Sequence, residues 1–217
     1  IDTLRNPKKH KTLESYVRGV ITRFKDDPRV IVWDLYNEPG NDGKGDEMTT
    51  EEKEELCLML LRRMFMWARD IAPSQPLTAG VWNVSRQWTG PNATELNSFM
   101  LENSDVISFH CYQFYERTVE KVGALKPYGR PILCTEYVAR PKNNFEEQLP
   151  YFKKNKIAAY NWGLVAGKIQ TQYPWSSWRK KFTAEPEVWH HDIFRPNGEP
   201  FSETETELIK KLTGDEQ

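Results

Sequence analysis

The apolar positions change rhythm several times along the chain, and each change marks an element. Leu13, Tyr16, Val17, Val20, Ile21 and Phe24 recur with the helical period of about 3.6 residues, which predicts a helix capped by Thr12. Lys25, Asp26, Asp27 and Pro28 stop it. Residues 30–36 are almost unbroken in Val, Ile, Trp, Leu and Tyr, the composition of a strand buried on both faces. Residues 40–45 read as a loop. Thr49 and Glu52 have the spacing of a capping box, and the helix behind them carries a stripe of Leu56, Leu60, Met64, Trp67 and Ile71. Further apolar runs at 76–82, 105–112, 131–137 and 157–163 predict four more strands. Helical segments separate them, near 95–101, near 117–125, and one opened by Asn144 and Glu147 that carries Phe145, Leu149 and Phe152. After a long Trp-rich stretch, Ser202 and Glu205 cap a closing helix with Leu208, Ile209 and Leu212.

Strands that alternate with helices form parallel βα units, so the expected fold class is α/β. Two architectures compete: an open doubly wound sheet, and part of a TIM (β/α)8 barrel. Both place a site at the carboxyl ends of the strands. No repeat beyond the βα rhythm and no low-complexity tract divides the chain, so residues 1–217 read as a single domain.

Composition narrows the function. Lys plus Arg number 30 against 31 for Asp plus Glu, a net charge of −1 that lacks the basic excess of a nucleic-acid binder. No run of about 18 apolar residues suits a membrane helix. The first six residues are polar and hold no signal core, so a secreted or periplasmic location would require an upstream signal, and the compartment stays open. The oligomeric state is not legible. Cys57, Cys111 and Cys134 form no CxxC pair and read as buried thiols. Eight tryptophans are a high load for 217 residues; Trp67, on a helix stripe, is expected in the core.

The residues at the strand ends carry the chemistry. The five runs finish in Asn37-Glu38-Pro39, Trp82-Asn83, His110 with Tyr112, Glu136-Tyr137 and Asn161-Trp162. A glutamate closing an apolar strand is costly unless it is paired or used. Paired carboxyl groups are what glycoside hydrolysis needs: one protonates the departing oxygen and the other attacks the oxocarbenium-like centre. A separation of ~5–5.5 Å suits retention of configuration, and ~6.5–9.5 Å suits inversion. His110 and Tyr112, two apart and so on one face, are candidate donors to Glu136.

Val32 to Pro39, with Thr135-Glu136-Tyr137 about a hundred residues on, resembles the clan A retaining β-glycoside hydrolases with (β/α)8 barrels, the family 5 cellulase and mannanase type in particular. The resemblance implies that Asn37-Glu38 ends the fourth barrel strand and Glu136 the seventh. Two predicted strands lie between them, as that layout requires. It further implies Glu38 as acid/base, Glu136 as nucleophile, and Asn37 as partner of the sugar 2-hydroxyl. His110 and Tyr112 then line the site, and Trp162 is a stacking platform for the sugar. Trp82 and Trp175 are further candidates for substrate contact, with residues 162–178 as a subsite wall. The expected partner is a β-linked oligosaccharide or polysaccharide, with no cofactor and no metal.

The five visible strands are three short of a closed barrel, and the chain starts without Met, so the expectation is either the C-terminal part of a barrel lacking its first three βα units or an unusual barrel. Two rivals stand beside the glycosidase: a non-catalytic carbohydrate-binding barrel or inactive glycosidase fragment, and an open-sheet α/β protein unrelated to sugars. Residues 40–45 lack the Walker spacing. His190-His191-Asp192 has no evident further ligand, which argues against a metal.

Overall fold

A computed structural model describes residues 2–41 and 48–214. The predicted loop at 40–45 therefore falls mostly outside the described residues. The elements follow in the order α1 (Asp2–Arg5), α2 (Pro7–Phe24), β1 (Trp33–Asp34), α3 (Thr50–Ile71), β2 (Leu77–Thr78), α4 (Glu95–Asn103), β3 (Ile107–His110), α5 (Tyr115–Leu125), β4 (Ile132–Glu136), α6 (Phe145–Lys154), β5 (Ala158–Ala159) and α7 (Glu203–Thr213). The chain divides into two compact units. One comprises the chain up to Ser108 with Tyr128–Arg130; the other comprises Phe109–Pro127 and the chain from Pro131 on. Among the described residues no helix is long and apolar enough to cross a membrane.

In the first unit, β1 and β2 pair in parallel, Trp33 opposite Leu77 and Asp34 opposite Thr78. The chain at 105–108 lies along β2, with Asp105 N donating to Leu77 O at 2.7 Å and Val81 N to Ser108 O at 3.1 Å. α3 supplies most of the core. Leu60, Met64 and Trp67 of the predicted stripe are buried, and so are Cys57, Leu58, Leu61, Phe65 and Ala68, because the helix is covered on more than one side. The Thr49–Glu52 capping box forms in both directions, with Glu52 N donating to Thr49 Oγ1 and Thr49 N to Glu52 Oε2.

Two expectations fail in this unit. α2 is capped by Asn6, whose Oδ1 accepts from Lys8 N, and not by Thr12; Pro7 at the first helical position fixes that start. Only Val17 and Ile21 of its stripe are buried, and Tyr16 is 66% exposed. Nor is the first strand buried on both faces: Ile31 is 69% exposed, and regular pairing is confined to two residues. The physical reason is visible in the packing. α2, β1 and α3 line an apolar cavity of about 490 Å³, with Leu13, Val20, Trp33, Leu35 and Leu60 in its walls, and β1 pairs with β2 alone among the described residues.

The three-stranded sheet has the order β3–β4–β5; β4 and β5 belong to the second unit, which β3 enters at Phe109. β4 pairs in parallel with β5, Leu133 opposite Ala158 and Cys134 opposite Ala159. Each strand is shorter than its apolar run, because the flanking residues turn into loops that carry polar side chains. Phe109, Tyr137, Phe145 and Phe152 form an edge-to-face aromatic core, with Phe152 meeting Phe109 at 6.4 Å and Tyr137 at 5.2 Å between centroids. Asn144 and Ser202 cap α6 and α7 as predicted. All three cysteines are free and buried; burial pushes the Cys111 and Cys134 thiols up, so both stay protonated.

Candidate active site

Glu38 sits where the chain leaves β1 in the first unit. Pairing with β2 continues one step past the strand, Leu35 N donating to Thr78 O at 2.9 Å, and the chain then turns sharply. Glu38 itself has φ +47°, the left-handed region that a residue with a Cβ seldom occupies. Such a conformation costs about 1–3 kcal/mol, and strain of this kind clusters at functional positions. The turn is held from several sides. Asn41 N donates to Glu38 O at 3.1 Å, and Asn41 Nδ2 donates to the Glu38 carboxylate. Trp82 Nε1 donates to Pro39 O at 2.9 Å, which places Trp82, half-buried, beside the same turn. Gly40 N donates to Cys57 Sγ at 3.3 Å. Gly40 has φ +83°, a left-handed conformation that glycine adopts without strain, and a Cβ there would stand 3.3 Å from Glu54 Cγ of α3. Glu38 is half-buried and Asn37 exposed.

Glu136 ends β4 in the second unit. Tyr112 Oη donates to Glu136 Oε2 at 2.6 Å, and His110 Nδ1 lies 3.4 Å from the same oxygen. Backbone pairing sets this register, because Cys111 N donates to Glu136 O at 3.0 Å and so aims the flanking residues 110 and 112 at the carboxylate. The glutamate side chain is 13% exposed and that of His110 is 5% exposed, so both groups are largely withdrawn from water.

Behind Tyr112 stands a second layer. Its ring meets Trp175 edge-on at 5.1 Å and His191 at 5.4 Å. Trp175, in a short 3₁₀ turn (Trp175–Trp178), also meets His190 at 4.7 Å and His191 at 5.6 Å. His190 Nδ1 donates to Arg140 O and His191 Nδ1 to Val138 O, so both imidazoles are tied to the loop that follows β4. Burial pulls the His190 pKa down and that of His191 to about 4, so both are neutral at neutral pH. Burial raises the Asp192 carboxyl, whose two oxygens lie 2.8 and 2.9 Å from Thr171 Oγ1. Arg140 pairs bidentately with Glu205 at 2.6 and 2.8 Å, both side chains buried, and anchors the start of α7 to this loop. Gly163, φ +93°, lets the chain pass Asp192; a Cβ there would stand 2.7 Å from Asp192 Oδ1.

Asn161 follows β5 and donates from Nδ2 to the carbonyls of Gly163, at 2.7 Å, and His191, at 3.0 Å. Trp162 next to it is 46% exposed. Asn161 Oδ1, Gln172 Oε1, His190 Nε2 and His191 Nε2 are buried with no hydrogen-bond partner among the described residues. Each such atom costs about 1–3 kcal/mol when left without a donor.

The second unit thus brings His110, Tyr112, Glu136 and Trp175 together, and the first brings Trp82 to the Glu38 turn. The sequence reading missed Arg140–Glu205 and the His190–His191 pair as parts of the Glu136 surroundings. Adjacent histidines were the one visible signal.

No family model matches the chain. It is 26% identical over 156 residues, 63% of this chain and 38% of the relative, to a protein named probable mannan endo-1,4-beta-mannosidase C from Aspergillus terreus. Among solved structures it resembles the endo-beta-1,4-mannanase from Thermotoga petrophila, with TM-score 0.61, 15% identity, and coverage of 97% of this chain and 51% of that one. It also resembles native xylanase 10B from Thermotoga maritima, with TM-score 0.56, 18% identity, and coverage of 94% and 66%. A GH2 beta-galacturonidase from Eisenbergiella tayi gives TM-score 0.60 at 14% identity, over 96% and 37% of the two chains. The chain therefore spans 38% of that curated relative's length and about two-thirds or less of these solved structures. The likeness is to barrel glycoside hydrolases as a group and does not single out the family 5 type. The fold is α/β with parallel strands, of the TIM-barrel kind that these glycosidases share and consistent with part of such a barrel.

Proposed function

We propose that this chain carries the reacting groups of a retaining β-glycoside hydrolase of the family 5 type, acting on a β-linked oligosaccharide or polysaccharide. The observation that supports it most is the 2.6 Å bond from Tyr112 Oη to the Glu136 carboxylate at the end of β4. A nucleophilic carboxylate must be ionised and oriented, and a hydroxyl donor on a mostly buried carboxylate serves both needs.

The reaction is a double displacement. A Glu136 oxygen attacks the anomeric carbon while the Glu38 carboxyl gives its proton to the departing glycosidic oxygen. Glu38, now a carboxylate, takes a proton from water, and that water's oxygen displaces Glu136 from the anomeric carbon. Two inversions leave the β configuration in place. Asn37 holds the 2-hydroxyl, His110 and Tyr112 fix Glu136, and Trp162 stacks on the apolar face of the sugar. Trp82 and Trp175 are further candidates for substrate contact. The names of the relatives make mannan and xylan the first substrates to try.

The test uses the full chain carrying Glu38→Ala and two aryl β-glycosides, one with a poor leaving group and one with dinitrophenolate. A general acid contributes about 10²–10⁴-fold, and only where the leaving group needs a proton. The rate on the poor leaving group is expected to fall by that factor while the dinitrophenyl substrate loses far less. Equal losses, or none, refute the role of Glu38.

A further inference from the structure

Three of the unpartnered buried acceptors of the second unit have fixed identities. His190 Nδ1 and His191 Nδ1 face backbone carbonyls, which only accept, so the protons sit on Nδ1 and each Nε2 presents a bare lone pair. Asn161 Nδ2 already faces two carbonyls, which makes Oδ1 the atom left over. These residues are neighbours: His190 N donates to Gln172 O at 2.8 Å, Asn161 Nδ2 to His191 O at 3.0 Å, and the imidazole centroids are 4.3 Å apart. With Gln172 Oε1 they make a cluster of buried acceptors that have no donor among the described residues.

Trp175 packs against this cluster. Its ring lies against both imidazoles and against Tyr112, yet it is 41% exposed while His191 is 1% exposed. Tyr112 touches both Trp175 and His191 and bonds the candidate nucleophile Glu136. A metal ion fits poorly. Among the described residues His190, His191 and Asp192 do not bring three ligand atoms within 4.8 Å of one another. A sugar residue fits both features, because its hydroxyls are donors and its C–H face stacks on an indole.

We propose that Asn161, Gln172, His190 and His191 form a sugar subsite beneath Trp175, which turns outward to admit the residue next to the one Glu136 attacks. Its place in the reaction rests on Glu136 being the nucleophile; its binding chemistry does not.

The experiment titrates β-1,4-mannotetraose and xylotetraose by calorimetry into the full chain carrying Glu136→Gln, then into the same chain with Gln172→Met or His191→Asn added. Gln172→Met keeps the shape and removes the acceptor. His191→Asn keeps an N–H for the Val138 carbonyl and removes Nε2. Each is expected to weaken at least one sugar by fivefold or more, about 1 kcal/mol. Gln172→Met should leave the thermal midpoint unchanged or higher, since it deletes a buried unpaired group. A Kd unmoved by both changes overturns the subsite, and so does a Glu136→Gln chain that binds neither sugar. Release of reducing ends separates the two proposals. Binding that depends on Gln172 in a chain that never hydrolyses overturns the glycosidase reading alone. Hydrolysis with KM unmoved by Gln172→Met overturns the subsite alone.

Discussion

Acidification should destabilise the second unit through His191, and the size of the effect follows from its burial. The imidazole is 1% exposed, and its pKa falls from the ordinary 6.5 to about 4. Between those values the unfolded chain binds a proton that the folded chain refuses, so stability drops as pH falls from about 6.5 and levels off below about 4. At pH 4 the unfolded imidazole is almost fully protonated and the folded one half so. The net loss relative to pH 7 is about 3 kcal/mol, a large share of a typical folding free energy. His190, shifted the same way by burial, adds to the trend. The assay is urea unfolding at pH 4, 5, 6 and 7 for the chain and for His191→Asn, which cannot titrate. Carboxylates common to both cancel in the comparison. The unmodified chain should lose about 3 kcal/mol more than the variant over that range. Parallel stability curves would refute the buried neutral imidazole.

Two other perturbations probe different links. Arg140→Ala leaves the buried Glu205 carboxylate without its bidentate partner and should cost about 3–5 kcal/mol in denaturant unfolding. A loss under about 1 kcal/mol, the value of a surface pair, would mean that the ion pair is not dry. Tyr112→Phe removes the donor that fixes the Glu136 rotamer and should lower kcat about tenfold or more with KM little changed. An unchanged kcat contradicts that role.

What was legible in the sequence was mostly local. The caps at Thr49, Asn144 and Ser202 could be read because a side chain and a backbone N–H three residues apart settle them without tertiary help. Thr12 was misread because an apolar stripe marks where a helix packs, not where it begins; Asn6-Pro7 held the better signal. The βα rhythm and the polar strand ends single out Glu38 and Glu136 as candidates, because a glutamate closing an apolar run is costly unless paired or used. Strand length was overestimated, because an apolar residue beside a short strand serves a loop core equally well: Tyr137 is 2% exposed yet lies outside β4. The layer behind Tyr112 was beyond reach. Arg140 and Glu205 are 65 residues apart, and His191 acts through packing on Tyr112, so neither has a local signature.

Covalent attack by Glu136 is decided by hydrolysis assays on Glu136→Ala with and without azide. The variant should lose hydrolysis of an activated aryl β-glycoside. Azide, small enough to enter the space left by the carboxylate, should restore part of the turnover and yield the α-glycosyl azide by a single inversion. Undiminished hydrolysis in the variant, or a rescued product of β configuration, would contradict it.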